Sequence, residues 1–521
     1  MRWRNAGIER SKQSTTASVA FHPRGCGYVF SAAIRARPIT AGSGTGQDGL
    51  LLAQRADMRT GLIWLYPLVT SIACGGGSSA ESTLPTECEP DPATDPTVVV
   101  ERCGVFVSAA GSDTRGDGTK TAPFATLPKA LAVAHDTGKR LYLCAGTFSD
   151  PIALTRTTAV PGIYGGFSCD AWSWGTTRAK LAPPAGIPVE VDAVMTELVF
   201  EGLDLQAADA TTRGESSIAM LVRSSPNVSV RSVRLAAGRG ATGADGSTPT
   251  PYAGPASSGL QPNLTDGGLE QTCVCETGGS TTGGRGGNSQ ADGLAGASMP
   301  SLSGLPPLNG SGGHFGVSCI SGAGGNDGAT PALPGVAGAG ATTLGLLDVQ
   351  GWLPAGGGDG GDGQPGQGGG GRAGKAASGG GGGACGGCGG ARGGGASGGG
   401  ASIALLALDS VTDVAESVLV ASDAGDGGFG GFGQPGQLGG SGMKQIDGPG
   451  GCNGGNGGSG SDGGGGGGGA GGISVGVLYM QATAPHLDDM TESSIVIGRA
   501  GVGGKALLPG IAGIAANTKA L

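Results

Sequence analysis

Short apolar runs of strand length recur along the chain, and three of them share one pattern. They begin at Ser217, Ser402 and Ser474 and read SIAMLV, SIALLAL and SVGVLYM. Each run is followed by further apolar residues and then by a glycine tract. Apolar and β-branched residues in runs of this length predict β-strands. The pattern therefore predicts repeated strand units that are separated by glycine-rich segments.

The spacing of the three units is uneven, because Ser402 follows Ser217 by 185 residues and Ser474 follows Ser402 by 72 residues. No fixed repeat length gives both separations. Coils of equal length that carry insertions of unequal length at one corner would give both separations, since insertions into repeats map to loops on one face of a solenoid. We therefore expect glycine-rich insertions at residues 238–401 and 425–472, on one side of the fold.

The folded region is predicted to start near Cys103. Val105 to Ser108 has strand character, a polar turn follows, and Thr126 is placed to cap a helix that carries Pro128 in its first turn. This stretch, GVFVSAAGSD and then APFATLPKAL, closely resembles the opening segment of pectin-lyase-like right-handed β-helix proteins.

The resemblance implies an all-β fold, a right-handed parallel β-helix (a solenoid) whose exposed end is covered by the capping helix. On this basis residues 103–237 form the N-terminal β-helix with its capping helix. Residues 402–424 add one coil, and residues 473–521 form the last coil and the tail. The long glycine-rich loops then lie on one face.

Glycine accounts for 115 of the 521 residues, far above its usual share of roughly 7%. Collagen is excluded because no strict three-residue repeat is kept. The sequence leaves two arrangements of the glycine tracts undecided. One is a mobile brush, since glycine loses the most entropy on ordering. The other is a set of extended polyproline-II strands that pack side by side. The composition is similar to that of the glycine-rich PGRS-type envelope proteins of bacteria.

The N-terminal part has the features of an exported protein. Residues 1–57 are basic and lack periodicity, so Met58 is the expected start of translation. Residues 58–73 then form a signal peptide, whose apolar core is too short for a relaxed membrane span.

Ile72-Ala73-Cys74 resembles a bacterial lipobox, although Ser71 stands where leucine is usual. The resemblance implies that Cys74 is diacylated and that residues 74–102 are a flexible linker. The glycine after Cys74 is similar to the pattern that sorts lipoproteins to the outer membrane. The alternative is cleavage after Ala73, which gives a freely secreted protein.

Ten cysteines remain when Cys26 and Cys74 are set aside. An even number in an exported chain predicts disulfides, whose connectivity the sequence leaves open. The neighbours favoured by spacing are Cys88 with Cys103, Cys144 with Cys169, Cys273 or Cys275 with Cys319, and Cys385 and Cys388 with Cys452. Such bonds would staple loops that have few side chains to pack.

Glycine-rich sequence produces catalytic motifs by chance, and we assign no catalytic residue, metal ion or cofactor. Gly395 to Gly399 fits G-x-S-x-G without a flanking strand or helix, and Gly369 to Lys375 lacks the hydroxyl residue of a P-loop. Asp462 ends a single defective calcium nonapeptide. The C-x-x-C pair at Cys385 has no second zinc pair. Four further acids are expected to be solvated turn residues rather than calcium ligands: Asp359, Asp362, Asp423 and Asp426.

The formal net charge of −9 argues against a nucleic-acid partner, which needs concentrated positive charge. We expect an exported cell-envelope protein, structural or adhesive, that binds polysaccharide or extracellular matrix through many weak contacts. It would meet the outer membrane only through its lipid anchor. A glycine-rich assembly or an ice-facing surface is a further class, and it requires ordered loops.

The alternative function is a carbohydrate-active enzyme, a polysaccharide lyase or glycoside hydrolase on a β-helix scaffold. Such enzymes need paired carboxylates in a groove. The adjacent acids that the folded region offers are Asp488 and Asp489. The pattern predicts that they form a polar turn rather than a catalytic pair.

Overall fold

The structure is a computed structural model that describes residues 84–302, 309–317, 324–348, 351–444, 452–481 and 484–521. The predicted leader at residues 1–57, the signal peptide at residues 58–73, the lipidated Cys74 and the disulfide candidate Cys319 lie outside these residues.

The described residues form mostly β-strands, with two short 3₁₀ helices at Thr86–Cys88 and Pro96–Val98. The α-helices are α1 (Leu127–Thr137) and α2 (Asp489–Ser493). The strands are β1 (Gly104–Val107), β2 (Arg140–Cys144), β3 (Thr147–Phe148), β4 (Ile152–Thr155), β5 (Gly162–Phe167), β6 (Ala179–Leu181), β7 (Val189–Asp192), β8 (Leu198–Glu201), β9 (Leu203–Gln206), β10 (Ser217–Arg223), β11 (Val228–Arg231), β12 (Arg234–Ala236), β13 (Gln271–Val274), β14 (Ser280–Gly283), β15 (Ala297–Met299), β16 (Gly345–Asp348), β17 (Gly351–Pro354), β18 (Ser402–Leu408), β19 (Thr412–Ala415), β20 (Val418–Val420), β21 (Ser474–Met480), β22 (His486–Leu487) and β23 (Ala515–Ala520).

Three parallel sheets organise the fold. The seven-stranded sheet has the order β1-β2-β5-β8-β11-β19-β22. The six-stranded sheet runs β23-β21-β18-β10-β7-β4, and the five-stranded sheet runs β20-β12-β9-β6-β3. Consecutive strands visit the sheets in turn, since β7, β8 and β9 lie in the six-, seven- and five-stranded sheets, as do β10, β11 and β12. The fold is therefore all-β with parallel sheets, consistent with the predicted β-helix class.

The three units that share a sequence pattern lie side by side in the six-stranded sheet. Ser217 of β10 pairs with Ser402 of β18, and Ser402 pairs with Ser474 of β21. The two long glycine-rich insertions begin after β12 and after β20, which both lie in the five-stranded sheet. They end at β18 and at β21, which both lie in the six-stranded sheet. The two insertions therefore start and end at corresponding places in the fold.

Inward side chains of the three sheets form the main core. Five neighbouring strands of the seven-stranded sheet place a fully buried apolar residue at the same register position, namely Leu141, Ile163, Phe200, Val230 and Val414. This stacking of like residues from neighbouring strands accounts for the alternation of apolar and polar residues in the short strands.

Helix α1 packs against β1 and β2 at one end of the seven-stranded sheet. Its buried residues are Leu127, Ala130 and Ala134, and Leu131 is partly buried against the same core. The predicted cap differs, because the Thr126 side chain does not cap the helix. Its hydroxyl donates instead to the carboxylate of Asp113, at 2.6 Å.

Residues 84–103 pack on the outward face of the seven-stranded sheet, whereas the sequence pattern predicted a flexible linker up to residue 102. The Arg140 guanidinium donates to the carbonyl oxygens of Glu89 and Pro90, at 2.9 and 2.8 Å. The Tyr142 hydroxyl donates to the Val98 carbonyl at 3.0 Å. These contacts make the segment part of the fold.

Candidate functional site

The glycine tracts form an ordered bundle of extended segments. We call this the glycine bundle and define it as residues 238–259, 324–341, 355–371, 379–401, 424–443, 454–473 and 498–513. Backbone hydrogen bonds join its segments at every third residue. For example, Gly387, Gly390 and Gly393 donate to Gly458, Ser461 and Gly464, at 2.8 to 2.9 Å. Three residues per turn is the period of a polyproline-II helix. The tracts are therefore extended segments that pack side by side, and not a mobile brush.

Residues 384–400 form the central segment of the glycine bundle. This segment donates to residues 455–470 and to residues 241–247, and it accepts from residues 357–369 and 425–440. Four neighbouring segments therefore satisfy its backbone groups. A polyproline-II helix has no internal hydrogen bonds, so these lateral bonds replace those that a sheet would provide.

Close approach of the segments explains the abundance of glycine. A Cβ atom at Gly390 would overlap the carbonyl oxygen of Gln434 on the neighbouring segment. Gly254, at the edge of the bundle, has open space at the same position. Glycine is thus required by packing in the interior of the bundle and not at every position.

Aspartate side chains complete the hydrogen bonding at the edge of the glycine bundle. Asp359 and Asp362 accept from the backbone N–H groups of Gly395 and Arg392, at 2.8 and 2.9 Å. Asp423 and Asp426 accept likewise from two residues of the segment at 498–513, both at 2.8 Å. The four residues are therefore backbone acceptors between segments. The expectation of a turn was wrong, because the tracts are extended here, although Asp359, Asp362 and Asp426 are exposed as expected.

Apolar side chains project from one edge of the glycine bundle. Phe429 and Phe432 are three residues apart and are 52% and 79% exposed. Leu438 follows on the same segment and is 64% exposed. At about 3.1 Å per residue, the two phenylalanines are roughly 9 Å apart along the segment.

A polar pocket of about 380 Å³ lies where several segments of the glycine bundle meet the turn between β13 and β14. We call it the Tyr252 pocket; its lining residues are Tyr252, Glu276, Thr277, Asp362, Ala391, Arg392 and Gln434. The Tyr252 hydroxyl donates to the Gly389 carbonyl at 2.7 Å. Burial and the Glu276 carboxylate raise the pKa of Tyr252.

Two disulfides fasten the β13–β14 hairpin to the central segment. They join Cys273 to Cys385 and Cys275 to Cys388. The predicted pairing of Cys385 and Cys388 with Cys452, and of Cys273 or Cys275 with Cys319, was therefore wrong. The reason is that the hairpin folds back onto the central segment, which spacing along the chain does not reveal.

The other pairings follow the expected spacing. Cys88 is bonded to Cys103 and Cys144 to Cys169. Cys452 is also disulfide-bonded. Disulfides of this number indicate an extracellular or secreted protein.

A partly buried charged cluster on the seven-stranded sheet was not predicted from the sequence. Glu201 is 7% exposed and lies beside Arg231, which also contacts Asp91 of the N-terminal segment. The distances from the Arg231 guanidinium are 3.3 Å to Glu201 and 3.1 Å to Asp91. Burial, together with the Asp91 charge, raises the pKa of Glu201 to about 7. No sequence motif marks Glu201 or Arg231, since they are distant in the chain from Asp91.

The residues of the remaining motifs have structural partners. Asp488 caps α2 by accepting from Thr491 N at 2.8 Å, as a polar turn requires, and it also accepts from Glu416 N. The Ser397 hydroxyl accepts from Ala244 N at 2.6 Å within the glycine bundle. Asp462 accepts from Gly436 N at 2.8 Å, so it also joins two segments.

The three histidines of the described chain each have a different partner. His486 contacts Asp413 at 2.6 Å and His314 contacts Asp292 at 3.0 Å, and all four residues are exposed. His135 contacts the Ala159 carbonyl at 2.8 Å. Across the described residues, no group of three or more His, Cys, Asp or Glu side chains is placed to hold a metal ion. In the same part of the chain, no helix is long and apolar enough to span a membrane.

Comparisons with known proteins give little beyond this description. No family model matches the chain, and no curated protein matches it. Among solved structures, it is similar to a rhamnogalacturonan lyase at 17% identity, with a TM-score of 0.21. The match covers 27% of this chain and 39% of that chain. A likeness of this extent does not carry that enzyme's activity over to this chain.

Proposed function

We propose that this protein is a non-catalytic polysaccharide-binding module of the bacterial cell envelope. The observation that carries the proposal is the lateral hydrogen bonding of the glycine bundle, of which the bond from Gly390 to Ser461 is one example. A surface held in this way loses little entropy when it binds, because its backbone is already ordered. Many weak contacts along a long polymer then add by avidity.

The fold that we propose for this module is a right-handed parallel β-helix. Two features support it: consecutive strands visit the three parallel sheets in turn, and both glycine-rich insertions connect the same two sheets. The β-helix then acts as a stem that holds the glycine bundle to one side. The bundle is similar in composition to PGRS-type envelope proteins.

The exposed side chains of the bundle suit a carbohydrate ligand. Phe429 and Phe432 offer aromatic faces against which sugar rings can stack. Asp245, whose carboxylate accepts from Phe429 N at 2.8 Å, adds a polar group beside them. Aromatic and polar groups in alternation match the apolar faces and hydroxyl edges of a sugar chain.

A carbohydrate-active enzyme is the second candidate, and the Glu201 cluster favours it. A carboxyl group with its pKa raised to about 7 has the acidity of a general acid. However, Glu201 is 7% exposed and lies beneath the segment that carries Asp91. A sugar chain would have to displace that segment, so we place this candidate second.

Export with lipid anchoring at Cys74 completes the proposal. The disulfides support export, because such bonds persist in oxidising compartments. Labelling cells with a palmitate analogue tests the anchor, and Cys74→Ser should abolish the label. Label that persists in this variant would contradict lipidation at Cys74.

Affinity electrophoresis against a panel of polysaccharides tests the function. The protein, produced in an oxidising compartment, should be retarded by at least one polysaccharide and should release no oligosaccharide from it. Released oligosaccharide would favour the enzyme instead. Absence of retardation by every polysaccharide would overturn the proposed function.

A further inference from the structure

We propose that the Tyr252 pocket is a binding site for a neutral sugar residue of the polysaccharide. This inference rests on the proposed function and names the ligand class at one particular site. Its volume of about 380 Å³ falls within the range of roughly 300 to 1,000 Å³ that is usual for small-molecule sites. Its walls combine one aromatic ring with carboxylate, guanidinium and amide groups.

The charges around the pocket select a neutral, hydroxylated ligand. Glu276 and Asp362 supply hydrogen-bond acceptors, and Arg392 supplies donors only. Within the described chain, the Glu276 carboxylate and the Arg392 guanidinium have no hydrogen-bond or ion-pair partner, although both line the same pocket. Both residues are exposed, and because a sugar hydroxyl both donates and accepts, neighbouring hydroxyls can take the place of the water around the two groups. An anion would meet two carboxylates, and a cation would meet the guanidinium.

The pocket is held rigidly by contacts that do not involve its free groups. Gln434 is buried, its amide oxygen accepts from Ala391 N at 2.8 Å and its amide nitrogen donates to the Thr250 carbonyl at 2.6 Å. The Tyr252 and Thr277 hydroxyls both donate to the Gly389 carbonyl, at 2.7 and 3.3 Å. The disulfide between Cys275 and Cys388 adjoins this point. A site that is ordered before binding loses less entropy when the ligand binds.

The test uses gels that contain neutral polysaccharides (dextran, galactomannan or hydroxyethyl cellulose), anionic polygalacturonate, or cationic chitosan. The wild-type protein should be retarded most by a neutral polysaccharide. Glu276→Gln and Arg392→Gln should each weaken that retention about tenfold or more, because each removes a hydrogen bond to a charged group. The controls are Glu270→Gln and Lys505→Gln, which change exposed charges outside the pocket.

Unchanged denaturation midpoints of all four variants, measured in urea, show that any loss of retention is not a loss of folding. Retention of the wild type that neither pocket variant weakens would overturn this inference and leave the proposed function standing. A preference for polygalacturonate or chitosan over every neutral polysaccharide would also overturn it. A wild-type protein that none of the polysaccharides retains would overturn the proposed function itself.

Discussion

The hydroxyl of Ser402 bonds to the segment that follows β20 and also to the segment that follows β12, to which Ser217, its partner in the neighbouring strand, is bonded as well. It accepts from Ser422 N at 2.8 Å and donates to the Gly238 carbonyl at 2.7 Å. Ser217 makes the corresponding pair of bonds, accepting from Gly238 N and donating to the Ala208 carbonyl, both at 2.8 Å. These serines therefore fix the corner at which each glycine-rich insertion begins.

Replacing Ser402 by alanine should destabilise the protein. The change leaves Ser422 N and the Gly238 carbonyl without their partner at a fully buried site, at a cost of about 2 kcal/mol. Urea denaturation followed by tryptophan fluorescence measures the loss. Ser441→Ala, at an exposed position of the glycine bundle, is the control and should change stability little. Equal stability of the two variants would show that the hydrogen bonds of the Ser402 hydroxyl do not stabilise the fold.

Alanine should be tolerated at Gly254 and not at Gly390. A methyl group at Gly390 overlaps the carbonyl oxygen of Gln434, and overpacking of this kind costs about 1 to 3 kcal/mol or more. The same group at Gly254 meets open space. The two denaturation midpoints should therefore separate clearly. A Gly390→Ala protein as stable as Gly254→Ala would mean that the segments do not pack as closely as described.

Removing the disulfide between Cys275 and Cys388 should destabilise the glycine bundle. Because the neighbouring bond between Cys273 and Cys385 already closes a loop of 112 residues, the loss should lie at the low end of the usual range of about 2 to 4 kcal/mol. The double variant Cys275→Ser/Cys388→Ser should become susceptible to proteolysis in the β13–β14 hairpin. The matched control is Cys88→Ser/Cys103→Ser, which opens a separation of 15 residues at the N-terminal segment. Cleavage of the hairpin at the wild-type rate would contradict the role of this disulfide.

Stability should fall as the pH rises from about 4.5 to about 7, through the titration of Glu201. The folded state holds the proton of this buried carboxyl up to about pH 7, whereas the ordinary pKa of a glutamate side chain is 4.5. Between these values the folded state binds more protons than the unfolded state, so the free energy of unfolding decreases with pH. The contribution is up to about 3 kcal/mol. The charged groups that face Glu201 are Asp91, Arg231 and Glu416.

Glu201→Gln should remove most of this pH dependence and make the protein more stable at pH 8 than the wild type. Thermal denaturation at pH 5 and pH 8 measures both effects. A variant whose pH profile overlays that of the wild type would show that another group is responsible.

Much of the strand pattern was predictable, because it depends on local alternation and on a repeated unit. Ser217, Ser402 and Ser474 marked the start of three strands that lie in register. The sequence did not decide whether the glycine tracts are ordered or mobile, because glycine has no side chain whose pattern would show which segments pack together. The spacing of Asp359 and Asp362, and of Asp423 and Asp426, was a usable sign of the three-residue period, since the members of each pair are three positions apart.

The candidate sites were less predictable. The Tyr252 pocket brings together residues that lie more than a hundred positions apart, such as Tyr252 and Gln434. The Glu201 cluster depends on an N-terminal segment whose composition resembles a linker. Neither arrangement follows from local spacing, because both are produced by the packing of distant segments.

Hydrogen exchange followed by mass spectrometry tests the central claim most directly, namely that the glycine bundle is an ordered platform. Peptides from residues 384–400 should exchange as slowly as peptides from β18, because neighbouring segments accept from their backbone N–H groups. Full exchange of these residues within seconds, at the rate of an unstructured chain, would contradict the claim.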